Sequence, residues 1–355
     1  MTASLDISQD RALLWLMAIA CGLCAGTNYY AQPLIGSIQQ YFQVPEAQVA
    51  LTVTFAQVAY ALGLLLIVPL GDIVNKTKFI PLLMLIAALG LFISAFSSHI
   101  YMLWAGTILA SLFSVATQVL IPFATMAVKP EKTGQVIGFL MSGLLVGILL
   151  STSLAGVLSE LWHWKAIYAL SGALMLIIAV LLKARLPYVL RLNISYFDIF
   201  RSMGSLLHQE PRLVLRSLIG GCCFAAMSIL FSTIALLLTR PPFALTDLWI
   251  GLVTLVGVFG ALSSSYLGRF ADRGHTQSLT VLGLFTLLLS WALLYGGAIS
   301  LLSYIAGYAC IHLGLAMVHT ANQGIVFRLR PDAKSRINSI YMTTYFIDTD
   351  MFRFS

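Results

Sequence analysis

From Leu13 to Phe327 the chain is a succession of apolar stretches separated by short polar ones. Each stretch is near the ~20 residues that an α-helix needs to cross the hydrocarbon core of a bilayer. Ten can be marked off, at 12–38, 47–70, 79–97, 101–127, 135–158, 164–183, 213–238, 247–267, 277–297 and 300–327. Lipid offers no water to take a backbone hydrogen bond, so a spanning segment must satisfy its peptide groups internally, and these stretches are predicted helices. A membrane barrel would show short segments of alternating polarity, which this sequence lacks. Charged residues make up only 9% of the chain, against ~25% in a soluble domain, so no water-facing surface can be built from it. The first stretch is longer than the apolar region of a signal peptide, and no small-residue cleavage site follows it. The expected fold class is an all-α polytopic membrane protein.

The charges orient the chain. The connections after stretches two, four, six, eight and ten hold Lys76 and Lys78, then Lys129 and Lys132, then Lys183, Arg185, Arg191, Arg201, Arg212 and Arg216, then Arg269 and Arg273, then Arg328, Arg330, Lys334 and Arg336. That is 16 of the 20 basic residues, while the opposite connections hold only Lys165 and Arg240. Basic loops are retained in the cytoplasm, which places the N-terminus inside. The formal net charge of +7 follows from this topology. Basic residues scattered over separate loops make no nucleic-acid patch, so no nucleic-acid partner is expected.

The chain also repeats itself. GDIVNKTKF (71–79) follows the second stretch and GRFADRGHT (268–276) follows the eighth, an offset of 197 residues (71 to 268). The longest polar interval, 184–212, separates the two sets. This divides the chain into a six-helix half at 1–183, a central cytoplasmic loop at 184–212, an incomplete second half at 213–347 and an aberrant tail at 348–355. With these loops the chain resembles the major facilitator superfamily, whose signature after the second helix is a glycine, an acid and basic residues in a tight turn. Gly268, Asp272 and Arg273 match it. Gly71 and Lys76 fit the first copy, Asn75 stands where the acid is usual, and Asp72 takes over its role. The resemblance implies two six-helix halves in a bacterial inner membrane and transport of a small solute by alternating access, with these loops as latches in which charge pairs and helix dipoles hold one conformation. Gly134, Gly143 and Gly147 reproduce the glycine spacing of the fifth-helix motif of the family's antiporters, with Ile148 where that motif has proline. Gly143, Gly147, Ser151 and Ala155 also recur every four residues, a period that lets helices approach closely, so packing and an efflux signature both remain open.

Polar side chains inside spans are costly and tend to face a cavity or a partner helix. The first span offers Asn28, Tyr29, Tyr30 and Gln32, and the second offers Thr54, Gln57 and Tyr60 at intervals of three. The fourth offers Ser114 and Gln118, and the tenth His312, His319, Asn322 and Gln323. The resembled family lines its cavity with spans one, four, seven and ten, and three of those four are represented. No Asp or Glu lies deep in a complete span, since Glu46, Glu160 and Asp247 sit at edges. The histidines are then the titratable candidates for coupling protons, with hydrogen bonding to neighbouring helices or substrate as the other reading.

Cys21 and Cys24 form a CGLC segment within a span, where packing is the expected role. Asn75-Lys76-Thr77 and Asn193-Ile194-Ser195 fit the glycosylation pattern but lie on the predicted inside. There is no HExxH and no phosphate-loop lysine, so neither a metal nor a cofactor is expected and an enzyme is disfavoured. The expected partners are a small-molecule solute, protons and the lipid bilayer, with a monomeric chain. In the first half 112 residues separate Gly71 from the end of span six at 183, and the same interval from Gly268 reaches 380, whereas the chain ends at 355. An eleventh span begins near Ile337 and meets Asp348 and Asp350. The expectation is therefore about ten complete spans, a stump at 339–347 and two missing helices. Its function would be proton-coupled efflux in an intact ancestor and none in this chain, or that of a structural membrane remnant. A reporter that works only in the cytoplasm, fused within 184–212, should be active. Activity from a periplasmic reporter alone at that place would overturn both the topology and the duplication.

Overall fold

The computed structural model describes residues 6–188, 195–238, 241–245, 253 and 255–351. All regular structure among them is helical. Nine described segments, from Arg11–Tyr29 to Leu301–Leu329, are long and apolar enough to cross a membrane, and the forty-residue Gly257–Gly296 takes in the expected eighth and ninth spans. The expected opening of the eighth span at 247 lies outside the described residues, as do Arg191, Asn193, Arg240, Asp247 and the last residues of the expected tail, 352–355. The chain forms two compact units. One comprises Met1–Lys129, Gly143–Met203 and Asp332–Ser339, the other Pro130–Ser142, Gly204–Pro331 and Ile340–Ser355.

The first unit opens with α1 (Arg11–Gly26), whose N-terminus is capped by the Asp10 carboxylate on the Leu13 amide at 2.9 Å. The sequence suggests one continuous span at 12–38, but the helix ends at Gly26 and continues as short 3-10 turns, Thr27–Tyr29 and Gln32–Leu34, before α2 (Ile35–Phe42). Pro33 brings no N–H to a helical ladder, and hydropathy alone cannot register that loss. Next come α3 (Glu46–Leu66), a 3-10 turn at Val68–Asp72 and α4 (Lys76–Ala95), capped by Asn75 on the Thr77 amide at 3.0 Å. The expected fourth span is likewise two helices, α5 (Ile100–Phe113) and α6 (Ala116–Met126). Its break falls at Ser114, whose hydroxyl donates back to the Ser111 carbonyl at 2.9 Å, a local bond that competes with the helix. Then follow α7 (Thr133–Leu161), α8 (Ala166–Arg185) and α9 (Tyr196–Gln209).

The small residues of α7 lie against α1. A Cβ on Gly22 would stand 2.8 Å from the Gly143 carbonyl oxygen, and one on Gly26 2.8 Å from the Ser151 Cβ. Gly147 meets the backbone of Gly22 itself, and Ala155 is fully buried. Backbones this close require the missing side chains.

The second unit contains α10 (Pro211–Leu238), α11 (Gly257–Phe270), α12 (Thr276–Gly296), α13 (Leu301–Leu329) and most of α14 (Lys334–Met351). A turn at Ala271–His275 joins α11 to α12, and it reverses through Gly274 at φ 89°, a left-handed conformation open to glycine. Its core gathers Cys223, Met227 and Leu230 of α10 with Leu287 and Leu294 of α12 and Tyr304, Tyr308, Ile311 and Leu315 of α13. Phe285, Leu288, Tyr295 and Ile299 are left exposed, an apolar surface suited to lipid rather than water. Where the sequence suggests a stump at 339–347, α14 runs for 18 residues from Lys334, ~27 Å of helix. Its first turn, polar in sequence, is helical because its backbone amides have a partner described below.

Gly147→Leu should therefore disrupt α1 against α7, overpacking a contact at a cost of ~1–3 kcal/mol or more. Gly156→Leu, on the same helix with nothing within 4 Å, should be tolerated. The measurement is the thermal midpoint and monodisperse yield in detergent, and equal behaviour of the two variants would refute the close approach.

Candidate functional site

An α-helix begins with four amides that lack an intrahelical acceptor, and an anion at that end is favoured by the helix dipole. In the first unit the acceptor for α14 is Asp72, at the end of the Val68–Asp72 turn. Its carboxylate takes the Ser335 amide at 3.0 Å, the Arg336 amide at 3.2 Å and Arg336 Nε at 3.0 Å. Asp72 and Arg336 are both nearly fully buried, at 4% and 8% side-chain exposure. Arg336 also donates to Ser202 Oγ at 2.7 Å and to the Asp332 carbonyl at 2.9 Å. In the second unit the acceptor for α7 is Asp272, which takes the Gly134 and Gln135 amides, each at 2.8 Å, and Arg328 Nη2 at 3.3 Å. The two aspartates are offset by 200 residues (72 to 272), and the amide pairs by 201 (134 to 335, 135 to 336).

This geometry corrects the register of the repeat. Aligning Gly71 with Gly268 gives 197, but the equivalent atoms are the carboxylates, so Gly71 corresponds to Ala271. Both glycines nevertheless admit a neighbour. A Cβ on Gly71 would stand 2.8 Å from Ser335 Oγ, and one on Gly134 2.6 Å from the Gly268 carbonyl oxygen. Asn75 is spent on capping α4, which leaves Asp72 as the acid of the first copy. Arg273 is exposed, and the arginine on Asp272 is Arg328. Lys76 is 2% exposed. Lys334 donates to the Thr125 carbonyl at 3.0 Å and to its hydroxyl at 2.9 Å. Burial, with the Lys76 charge beside it, brings the Lys334 ammonium down to about 8.

The breaks in the first unit meet. Asn28 Nδ2 donates to Ser114 Oγ at 3.2 Å, and Thr117 Oγ1 to the Cys21 carbonyl at 3.3 Å. Pro122 has no N–H for the carbonyl of Gln118, four residues earlier. Asn338 fills that role, its Nδ2 donating to the Gln118 carbonyl at 2.7 Å and to Oε1 at 3.1 Å. Gln118 Nε2 donates in turn to Tyr60 Oη at 3.2 Å, and Ser339 Oγ to the Leu64 carbonyl at 2.6 Å. Asn28, Tyr60, Gln118 and Asn338 thus form a neutral, buried polar seam. Gln57, Tyr29 and Gln32 are half-buried, while Thr54 is exposed and does not share the face of Tyr60. Tyr30 is 2% exposed and packs edge-on to Tyr168 at 5.8 Å, a core position. Cys21 and Cys24 are buried free thiols.

The second unit carries a charged cluster that the sequence does not announce. Arg216, counted above with the loop charges, lies inside α10 with its side chain turned to α12 and α13. Nη1 donates to Thr280 Oγ1 at 2.8 Å and to Asn322 Oδ1 at 3.2 Å. Asn322 Nδ2 donates to the Arg216 carbonyl at 3.1 Å and to Tyr341 Oη at 3.4 Å. Tyr341 Oη also pairs with His319 Nδ1 at 3.2 Å. Of the two histidines, only His319 joins this network. His312 is buried against α11, where a Cβ on Gly257 would stand 2.9 Å from its ring, and its Nδ1 bonds the Tyr308 carbonyl at 2.9 Å.

The duplicated aspartate cap ties the molecule to a class. Residues 14–347 match the Major Facilitator Superfamily, and the chain belongs to that superfamily of multi-pass membrane transporters. It is 41% identical over 337 residues to the transporter YgaY of Escherichia coli O157:H7, covering 95% of this chain and 86% of that protein. The MFS-type transporter YybF of Bacillus subtilis is 24% identical over 334 residues, or 91% of this chain and 80% of YybF. The fold is shared with the proton:xylose symporter XylE (TM-score 0.74, 12% identity, 98% of this chain and 88% of that one). It is also shared with the human organic anion transporter MFSD10 (TM-score 0.76, 16% identity, 96% and 91%).

The two caps differ in burial, and their loss should differ too. Breaking a buried pair by removing one partner costs ~3–5 kcal/mol, against ~0–1 for an exposed one. Arg328 is 54% exposed where Arg336 is 8%. Asp72→Asn should lower the thermal midpoint in detergent clearly more than Asp272→Asn. Equal shifts would mean that the amide bonds, common to both, carry the whole effect.

Proposed function

We propose that this chain is a secondary active transporter that moves a small solute across a bacterial inner membrane by alternating access. Its N-terminus and basic loops face the cytoplasm, and it works as a monomer. The observation that carries this reading is the repeated cap, in which Asp72 holds the N-terminus of α14 and Asp272 that of α7. Each is a discrete charge-on-dipole contact, either made or broken, and such contacts suit a two-state element. In that role Asp72 with Arg336, and Asp272 with Arg328, are the latches, while Gly71, Gly134 and Gly268 allow the approach. The discontinuous helices at Asn28 and Ser114 support a solute path lined by Asn28, Gln57, Tyr60 and Gln118, because irregular backbone at membrane depth is tolerated where it is buried in protein or lines a cavity. His319, joined to Tyr341 and Asn322, is the group we assign to proton coupling. The glycine spacing of α7 supports outward transport.

In everted membrane vesicles carrying an acid interior, a transported solute added outside should discharge the proton gradient, read with a pH-sensitive dye. Asp272→Asn should reduce the initial rate tenfold or more at unchanged membrane abundance, and His319→Gln should uncouple proton release from solute movement. An Asp272→Asn rate equal to the wild type would return the aspartates to simple helix caps.

A further inference from the structure

We infer that the second unit holds a binding site for an amphipathic monocarboxylate, with Arg216 as its anion receptor. Arg216 lies five residues inside α10, and its only described hydrogen-bond acceptors are the neutral oxygens of Thr280 and Asn322. Among the described residues no carboxylate lies within ion-pair distance of it; the described ion pairs belong to Arg328 and Arg336. A guanidinium held within a membrane-spanning helix is costly without a counter-charge. Its orientation says where that charge fits. Both N–H groups of Nη1 are spent on Thr280 and Asn322, and the remaining edge, Nε with Nη2, presents two parallel donors. That fork matches the two oxygens of a carboxylate.

The surroundings define the rest of the ligand. Arg216, Gly220 and Phe224 lie at four-residue intervals on one face of α10, ~12 Å from end to end. Gly220 makes room for Tyr341, whose Oη would stand 2.7 Å from a Cβ there. Above Tyr341 the chemistry turns aromatic. Tyr345 stacks on Phe224 at 4.4 Å and meets the His319 ring edge-on at 5.0 Å, and Phe346 lies 5.3 Å from Phe224. Arg216 and His319 keep partial exposure, while Asn322 and Tyr341, which orient them, are fully buried. A cationic fork at one end, a hydroxyl and an imidazole in the middle and an aromatic wall at the other select a ligand with one anionic head and a flat apolar body. The aromatic wall disfavours a lipid phosphate or free inorganic anion, which brings no such body. The role of this site as a substrate site rests on the transport reading above; its binding chemistry does not.

The test is binding to the purified full chain in detergent, read as a saturable rise in thermal midpoint. The probes are benzoate, benzyl alcohol, which has the body without the charge, and inorganic phosphate, which has the charge without the body. Benzoate alone should shift the midpoint. Arg216→Gln should abolish the shift, and Arg216→Lys, which keeps the charge but loses the fork, should weaken apparent affinity tenfold or more. Phe224→Leu, remote from the charge, should also weaken it and keeps the test decisive if Arg216→Gln does not fold. Absence of a benzoate shift, an equal shift from phosphate or benzyl alcohol, or full benzoate affinity in Arg216→Lys and Phe224→Leu would overturn the proposal. Benzoate binding that obeys these variants, with no carboxylate flux in vesicles, would sustain the site and count against the transport reading alone.

Discussion

A helix that begins inside a dry environment needs somewhere to send its first amides, and in this molecule the answer is an aspartate from a distant loop. The chain solves the problem twice. Asp72 takes two consecutive amides of α14 and Asp272 two consecutive amides of α7. Charge-assisted bonds to a carboxylate are roughly twice as strong as neutral ones, and the helix dipole adds to them. Each cap therefore fixes where a long helix starts, and hence where its side chains fall. The polar seam of Asn338 and Ser339 depends on the first cap, since both lie within six residues of the α14 N-terminus. The approach of α7 at Gly134 depends on the second.

The same accounting of backbone groups explains the interruptions. Pro122 leaves the Gln118 carbonyl without a helical donor, and Asn338 supplies one. The break between α5 and α6 leaves Ser114 to bond its own chain and Asn28. Non-helical backbone at this depth is costly unless its groups are paired within protein. The pairings found use neutral side chains, which need no counter-charge. That is why a run as apolar as the fourth span can be bent without bringing an acid or a base into it.

How far the sequence revealed all this depended on what each signal measures. Hydropathy registers how well a segment suits lipid, so the helical spans and the repeated loop were legible. It does not register direction. Arg216 sits only five residues inside α10, close enough to the basic loop to be counted with it, although its side chain turns to Thr280 and Asn322. His312 and His319 recur at one helical face, yet one packs against glycines and the other joins Tyr341. The register of the duplication differs by three residues from a glycine-to-glycine match, because the carboxylates are what the two copies share. One signal was present and could have been used: a proline inside a span names, four residues earlier, a carbonyl that must find a donor elsewhere. Nothing local could have named Asn338 as that donor, since the two are 220 residues apart.

The two units thus place different chemistry on the same scaffold. The seam of the first, Asn28, Tyr60, Gln118 and Asn338, is neutral. The cluster of the second contains a permanent charge whose described partners are neutral. In a medium of low dielectric a neutral amide carries no net charge to be compensated, whereas an arginine gains from any anion that reaches it. Thr280 and Asn322 hold one side of the guanidinium and so reduce the side-chain freedom that an incoming anion would otherwise have to freeze. Tyr341 ties that arrangement to His319, whose imidazole is the group of the cluster that can take up or release a proton. A solute charge and a proton would then be felt through one connected set of hydrogen bonds, which is the physical requirement for coupling the two: each must alter the free energy of the other.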